Sequence, residues 1–165
     1  MWESLYKAIF QDWSQSAPER EVARHLSRVA LFGYEKKDMA SLYPDVETKA
    51  FLLIQEMQKQ KMPIYIVENF RSAKKQNEYF SKGRTIPGSV ITNAKGGESY
   101  HQYGLAFDVA FEKYNWTPPS PDWWALLGKE GEKLGLVWGG SFRDYGHFEW
   151  HPGFTWEKLK SYFRL

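Results

Sequence analysis

The sequence predicts a small single-domain α+β fold, with a central antiparallel sheet flanked by helices. Three observations carry this. Segments with helical and strand-like patterning are mixed without the regular strand–helix–strand alternation of a parallel sheet. The 165 residues suit one domain and suffice to bury a core without staples. No internal repeat, low-complexity tract or linker interrupts the chain.

The elements follow in order. Residues 1–34 read as helical in two pieces, with Ser16 and Glu19 as a capping-box pair and Pro18 early in the second piece, where its missing N–H is harmless. Residues 1–40 are expected to form a helical extension packed on the core, and residues 41–165 the main domain. Asp45 is placed to cap the next helix, whose Val46, Ala50, Leu53, Ile54 and Met57 fall on one face. Residues 63–70, PIYIVENF, are β-branched and aromatic behind a proline and read as a strand. Ser72 caps a helix running to about Ser81.

Glycines and Pro87 make residues 82–97 a loop, with a short strand expected at Val90–Thr92. Leu105–Phe111 reads as a strand, and residues 113–120, with two prolines, as a connector. Ser120 and Pro121 open a helix to about Leu134. Leu136–Trp138 and His147–Trp150 are short strands, and a helix over Trp156–Phe163 closes the chain.

Composition narrows the function. Aromatics make up 18% of the chain, which suits either a Trp-rich core or a grip on flat or carbohydrate-like ligands. The net charge is only +2, with acidic and basic residues interspersed, so there is no electrostatic footprint for nucleic acid. With no cysteine, a metal would have to be held by His, Asp or Glu. No apolar run reaches membrane-spanning length and no export signal is evident, so membrane insertion is not expected.

Two stretches concentrate chemistry. SYHQYGLAFD, Ser99 to Asp108, and DYGHFE, Asp144 to Glu149, gather two histidines and three carboxylates among glycines and aromatics. His101, Asp108 and His147 would supply two imidazole nitrogens and one carboxylate oxygen, the donor set of a catalytic zinc site with one tetrahedral position open to water. His101 and Asp108 are seven apart and would point to opposite faces of one straight strand. They converge only if the chain bends, and Gly104 permits the bend, with His101 on a loop and Asp108 on the strand. Asp144 likewise belongs to a turn and His147 to the strand after it. Along that strand His147, Glu149 and His151 share a face. Either Asp144 or Glu149 could be the general base, the other carboxylate orienting a histidine ligand through its second N–H. Spacing alone leaves both assignments open.

These residues resemble a known family. SYHQYGLAFD fits the pattern S-x-H-x-x-G-x-A-x-D, and DYGH the pattern D-x-x-H, of zinc peptidases that cut peptidoglycan stem peptides. That family comprises D-alanyl-D-alanine carboxypeptidases and dipeptidases of the vancomycin-resistance type and L-alanyl-D-glutamate endopeptidases of phage endolysins and bacterial autolysins. The upstream run FRSAKKQNEYFSKGRTIPGSVITNAKGGESYH and the downstream GLVWGG are similar to the endopeptidase branch, and the resemblance covers Tyr43 to Trp150.

The resemblance implies a small α+β zinc-peptidase fold, zinc as cofactor, and His101, Asp108 and His147 as its ligands. It implies Asp144 as catalytic base, leaving Glu149 to orient a ligand or support the structure. Arg71 matches an arginine that polarises the scissile carbonyl, and Ser99 a serine near substrate and first ligand. Gln76 is a further candidate for substrate contact, although with Arg84 and Thr85 it would serve equally to hold the loop. Trp138 is expected in the core with an edge on the cleft, and Trp123 and Trp124 in helix packing. His25 reads as a surface residue and His151 as an exposed strand end, since a fourth protein ligand would close the site.

One departure is Gly146, where the branch commonly has proline; this loosens the backbone before the second ligand histidine. The implied activity is hydrolysis of the L-alanyl-D-glutamate bond by a monomer whose partner is the stem peptide. The alternatives are a D-alanyl-D-alanine carboxypeptidase and a non-catalytic peptidoglycan-binding protein on the same scaffold; the filled ligand and base positions weigh against the latter. Action at the bacterial cell wall is expected, after cytoplasmic synthesis and release by lysis, a holin or a lost leader.

Overall fold

A computed structural model describes residues 42–163, apart from residues 152 and 154. The expected helical extension over residues 1–40, with its capping box and His25, lies outside the described residues. The remainder is α+β, as expected. In chain order it contains α1 (Pro44–Lys59), β1 (Ile64–Glu68), α2 (Ala73–Ser81), β2 (Ala106–Phe111), α3 (Asp122–Lys133), β3 (Val137–Trp138), β4 (His147–Glu149) and α4 (Trp156–Phe163). Single 3-10 turns at Tyr100–Tyr103 and Gly139–Phe142 precede β2 and β4. The strands form one antiparallel sheet in the order β1-β2-β4-β3.

Most elements begin and end for the reasons read from the sequence. Val46, Ala50, Leu53 and Met57 of α1 are buried, and Ile54 packs against them. Ser72 Oγ accepts the Lys75 N–H and caps α2. The start of α1 differs. Tyr43 is its N-cap and offers no side-chain bond, Pro44 occupies the first turn, and Asp45 lies inside the helix. Proline needs no partner for an N–H, so the cap is dispensable there.

Val90–Thr92 is not a strand. Among the described residues no neighbouring strand offers it a ladder, and Val90 and Ile91 are about half exposed. Side chains hold this segment instead. Gln76 Nε2 donates to Thr92 Oγ1 and the Ala94 carbonyl, and Arg84 to the Thr92 carbonyl and Asn93 Oδ1. Asn77 Oδ1 accepts from the Gly96 N–H.

Alternation along β2 divides its two faces. Phe107, Val109 and Phe111 face a core that includes Leu53, Leu127 and Phe148, and the Phe107 and Phe148 rings stack at 5.6 Å. Ala106, Asp108 and Ala110 take the other parity. Helix α3 approaches the sheet closely because it carries Gly128 and Gly131. A Cβ at Gly128 would lie 2.3 Å from the Trp138 ring, and one at Gly131 would lie 2.2 Å from the Phe148 ring.

In an exposed helix, replacing glycine by alanine stabilises by about 1 kcal/mol. At Gly131 the sign should reverse, because the new methyl must displace a fully buried aromatic ring. Gly131→Ala is expected to destabilise by roughly 1–3 kcal/mol in urea unfolding, the cost typical of overpacking.

Candidate active site

The site forms around the middle of the sheet. An irregularity in register between Ile66 and Glu68 sets Glu68 opposite Asp108, and Asp108 pairs in turn with His147. Three strands thus present Glu68, Asp108 and His147 in one row. His101 joins them from the 3-10 turn. Ser99 caps that turn by accepting the His101 N–H, and its capping box is completed by Gln102. Gly104 ends the turn at φ +66, in the left-handed region that glycine adopts without penalty. The bend between His101 and Asp108 therefore lies where the spacing required it, with a helical turn in place of the expected loop.

The donor atoms are close together and aimed inward. His101 Nε2 lies 3.3 Å and His147 Nδ1 2.9 Å from Asp108 Oδ1. Ligand atoms of the three residues fall within 4.8 Å of one another. Around a tetrahedral ion bonded at about 2.0–2.1 Å, neighbouring ligand atoms are about 3.3 Å apart, so this set fits zinc with little movement. The outer ring nitrogens support the same fit. His101 Nδ1 donates to the Asn69 carbonyl at 2.5 Å, leaving Nε2 as the lone-pair nitrogen. His147 Nε2 meets Glu149 Oε2 at 3.1 Å, which leaves Nδ1 on the Asp108 side.

Glu149 is therefore occupied away from the donors, because its other oxygen pairs with His151 Nε2 at 2.8 Å. His151 stacks on Tyr100 and stands outside the donor group. Asp144 is arranged differently. It follows the Gly139–Phe142 turn, lines the same cleft, and its carboxylate makes no hydrogen bond or ion pair with a described residue.

Charge follows geometry. Burial would raise the Asp108 carboxyl, but the two histidines outweigh it and hold it well below the usual carboxylate range. Burial alone would depress His147, yet its bonds to Asp108 and Glu149 prevail and hold its pKa up at about 10. Glu149 is held at about 2 by His147 and His151 against its burial. Asp144 is pushed up by burial and by the Asp108 charge.

Arg71 lines the cleft, with most of its donors already engaged. Nε and Nη2 bind Glu68 Oε2, Nη2 also reaches Asp108 Oδ2 at 3.4 Å, and Nη1 donates to Gln76 Oε1. Lys75 holds the other oxygen of Glu68 at 2.6 Å. Gln76, expected among the substrate contacts, is fully buried and does not line the cleft; it ties Arg71 and Gln102 to the 92–94 segment. Trp138 lines a separate aromatic pocket with Trp116, Trp124 and Tyr145 and donates to the Tyr145 carbonyl. Ser99 does line the cleft, whose volume is about 590 Å³. Gly146 is packed rather than loose, since a Cβ there would lie 2.5 Å from both the Trp116 ring and the Val109 carbonyl oxygen.

Sequence reasoning missed Asn69 and Glu68. Asn69 acts through its backbone carbonyl, which leaves no mark in the sequence. Glu68 did carry a signal, as a charged residue at the inward parity of Ile64 and Ile66.

The chain has relatives among known proteins. Residues 92–150 match the family described as D-alanyl-D-alanine carboxypeptidase. The chain is 36% identical over 126 residues to the peptidoglycan L-alanyl-D-glutamate endopeptidase CwlK of Bacillus subtilis (strain 168), covering 68% of this chain and 75% of that relative. Among solved structures it is similar to the L,D-carboxypeptidase DacB of Streptococcus pneumoniae, with TM-score 0.52, 21% identity, and coverage of 74% and 76% of the two chains. It is also similar to the vancomycin-resistance D,D-pentapeptidase VanY, in its E175A form with Zn(II), with TM-score 0.52, 14% identity, and coverage of 75% and 79%. These two likenesses concern the fold.

Two outcomes follow from His147 lying between two carboxylates. Without metal, His147 is an imidazolium near neutral pH, so zinc binding should release about one proton, read by titration calorimetry in buffers of different ionisation enthalpy. Its folded pKa exceeds its unfolded value of 6.5, so its contribution to the stability of the metal-free protein is complete below pH 6.5. That contribution should be lost as pH rises through about 10, seen as a falling thermal midpoint. A midpoint that climbs over this range would contradict the assignment.

Proposed function

The chain belongs to the D-alanyl-D-alanine carboxypeptidase family of zinc-dependent peptidoglycan peptidases, and we propose that it cuts the stem peptide between L-alanine and D-glutamate. The donor arrangement carries the chemistry: two imidazole nitrogens and a carboxylate converge, the outer nitrogens are anchored, and a carboxylate that bonds to none of the described residues stands in the same cleft. Similarity to CwlK supports the choice of bond.

His101 Nε2, Asp108 and His147 Nδ1 would hold the ion. When bound there, zinc supplies a Lewis acid that polarises a carbonyl and makes water more acidic. Asp144 takes the proton from the attacking water and delivers it to the departing nitrogen. With no hydrogen bond to a described residue, both its oxygens are available, whereas those of Glu149 are occupied. Glu149 instead keeps His147 in the tautomer that points Nδ1 inward.

Arg71 fixes Asp108 through Oδ2. Of its five N–H groups, one on Nη1 is left, and together with the fixed charge at the cleft edge it can stabilise the oxyanion. Ser99 presents the first ligand and contributes to the cleft wall, while Gln76 acts by holding Arg71. All these groups come from one chain, consistent with action as a monomer at the cell wall. None of the described helices is long and apolar enough to cross a membrane.

Digestion of purified peptidoglycan should release fragments carrying new D-glutamate amino termini, and a chelator should abolish the release. Release of free D-alanine alone would identify the carboxypeptidase alternative. Asp144→Asn should retain zinc and lose activity on the order of 10²–10⁴-fold. Glu149→Gln should retain the base but bind zinc about 10–100-fold more weakly, measured by competition with a chromogenic chelator.

A further inference from the structure

Apart from the two histidines, the cleft has two cationic side chains, Arg71 and Arg143. Arg71 is bound by Glu68, Gln76 and Asp108. Arg143 makes no hydrogen bond through its side chain and no ion pair with any described residue. Its backbone is nevertheless firmly placed. It ends the Gly139–Phe142 turn at φ +65, a conformation unfavourable for L side chains. Its N–H donates to the Gly140 carbonyl, and that of Asp144 to the Gly139 carbonyl. This turn brings the side chains of residues 143 and 144 to the same cleft.

The other charged residues of the lining are acidic. Glu98, Asp108, Asp144 and Glu149 all face the cleft; Glu98 is paired with Lys160, Asp108 with His101, His147 and Arg71, and Glu149 with His147 and His151. An anionic peptide entering here meets a single uncommitted cation among the described residues.

The substrate class supplies the complementary group. In a stem peptide, D-glutamate joins L-alanine through its amine and continues through its γ-carboxyl. A free α-carboxylate therefore sits on the carbon that bears the scissile nitrogen, and in some walls it is converted to an amide. Asp144 delivers its proton to that same nitrogen, and the Cα atoms of residues 143 and 144 are about 3.8 Å apart.

We propose that Arg143 binds the D-glutamate α-carboxylate next to the scissile bond and so sets a preference for unamidated stem peptides. This rests on the endopeptidase reading above. A guanidinium can engage a carboxylate through two parallel hydrogen bonds, whereas a carboxamide offers one acceptor and no charge. Arg143 is a specificity residue in this scheme, while proton transfer stays with Asp144.

The test uses two synthetic peptides that differ only in this group, L-alanyl-γ-D-glutamyl-lysine and its D-isoglutamine counterpart, with the zinc-loaded full chain. Wild type should favour the carboxylate at least about tenfold in kcat/KM, mainly through KM. Arg143→Gly removes the side chain and suits the left-handed backbone, so the turn should persist; zinc content and thermal midpoint would verify this. The preference should collapse to within about twofold in that variant and survive in part in Arg143→Lys. Retention of the full preference in Arg143→Gly, or an equal loss on both peptides, would overturn the proposal. Failure of wild type to cut this bond in either peptide would instead remove the endopeptidase reading, and the role of Arg143 with it.

Discussion

The Asp108 carboxylate is the group on which the rest of the molecule depends. It sits on β2, an inner strand, with one oxygen between two imidazoles and the other near a guanidinium. A carboxylate this far from water is costly unless its charge is met on several sides. Its partners come from the neighbouring strand, the preceding 3-10 turn and the segment just before α2. A register slip of one residue would exchange Asp108 for Phe107 or Val109, putting a charge into the core and an apolar side chain into the site. Folding and site assembly are thus one requirement.

The opposite face of the sheet secures that register. Phe107, Phe111 and Phe148 fill the space beneath α3, and the two helix glycines let α3 settle directly on the Trp138 and Phe148 rings. The aromatic richness of the chain is divided accordingly. Part of it is core, and part lines the pocket of Trp116, Trp124, Trp138 and Tyr145, where Trp116 closes over Gly146 beside the second histidine. A glycine that in sequence suggests slack is, in space, the only residue small enough for its position.

Much of this was legible in the sequence. The helix faces of α1 and the cap of α2 followed from periodicity and Ser72, and the convergence of His101 with Asp108 followed from parity and Gly104. What sequence could not show was bonding through backbone atoms or across large separations. The Asn69 carbonyl that orients His101 lies 32 positions away and could have belonged to any residue type. Gln76 read equally well as a substrate contact or a loop tether, and only its burial distinguishes them. The expected strand at Val90–Thr92 was the right composition without a partner, since β-branched residues make a strand only where a neighbouring edge is available. The ambiguity between Asp144 and Glu149 is addressed by counting occupied oxygens, information that spacing does not contain.

The manner in which the 90–96 segment is attached has an evolutionary consequence. It joins no sheet, and its tethers run mainly from the side chains of Gln76, Asn77 and Arg84. It contains no strand and supplies no metal donor. One wall of the cleft can therefore diverge while the reaction centre stays constant, so that descendants of such a scaffold could acquire new substrates without rebuilding their chemistry.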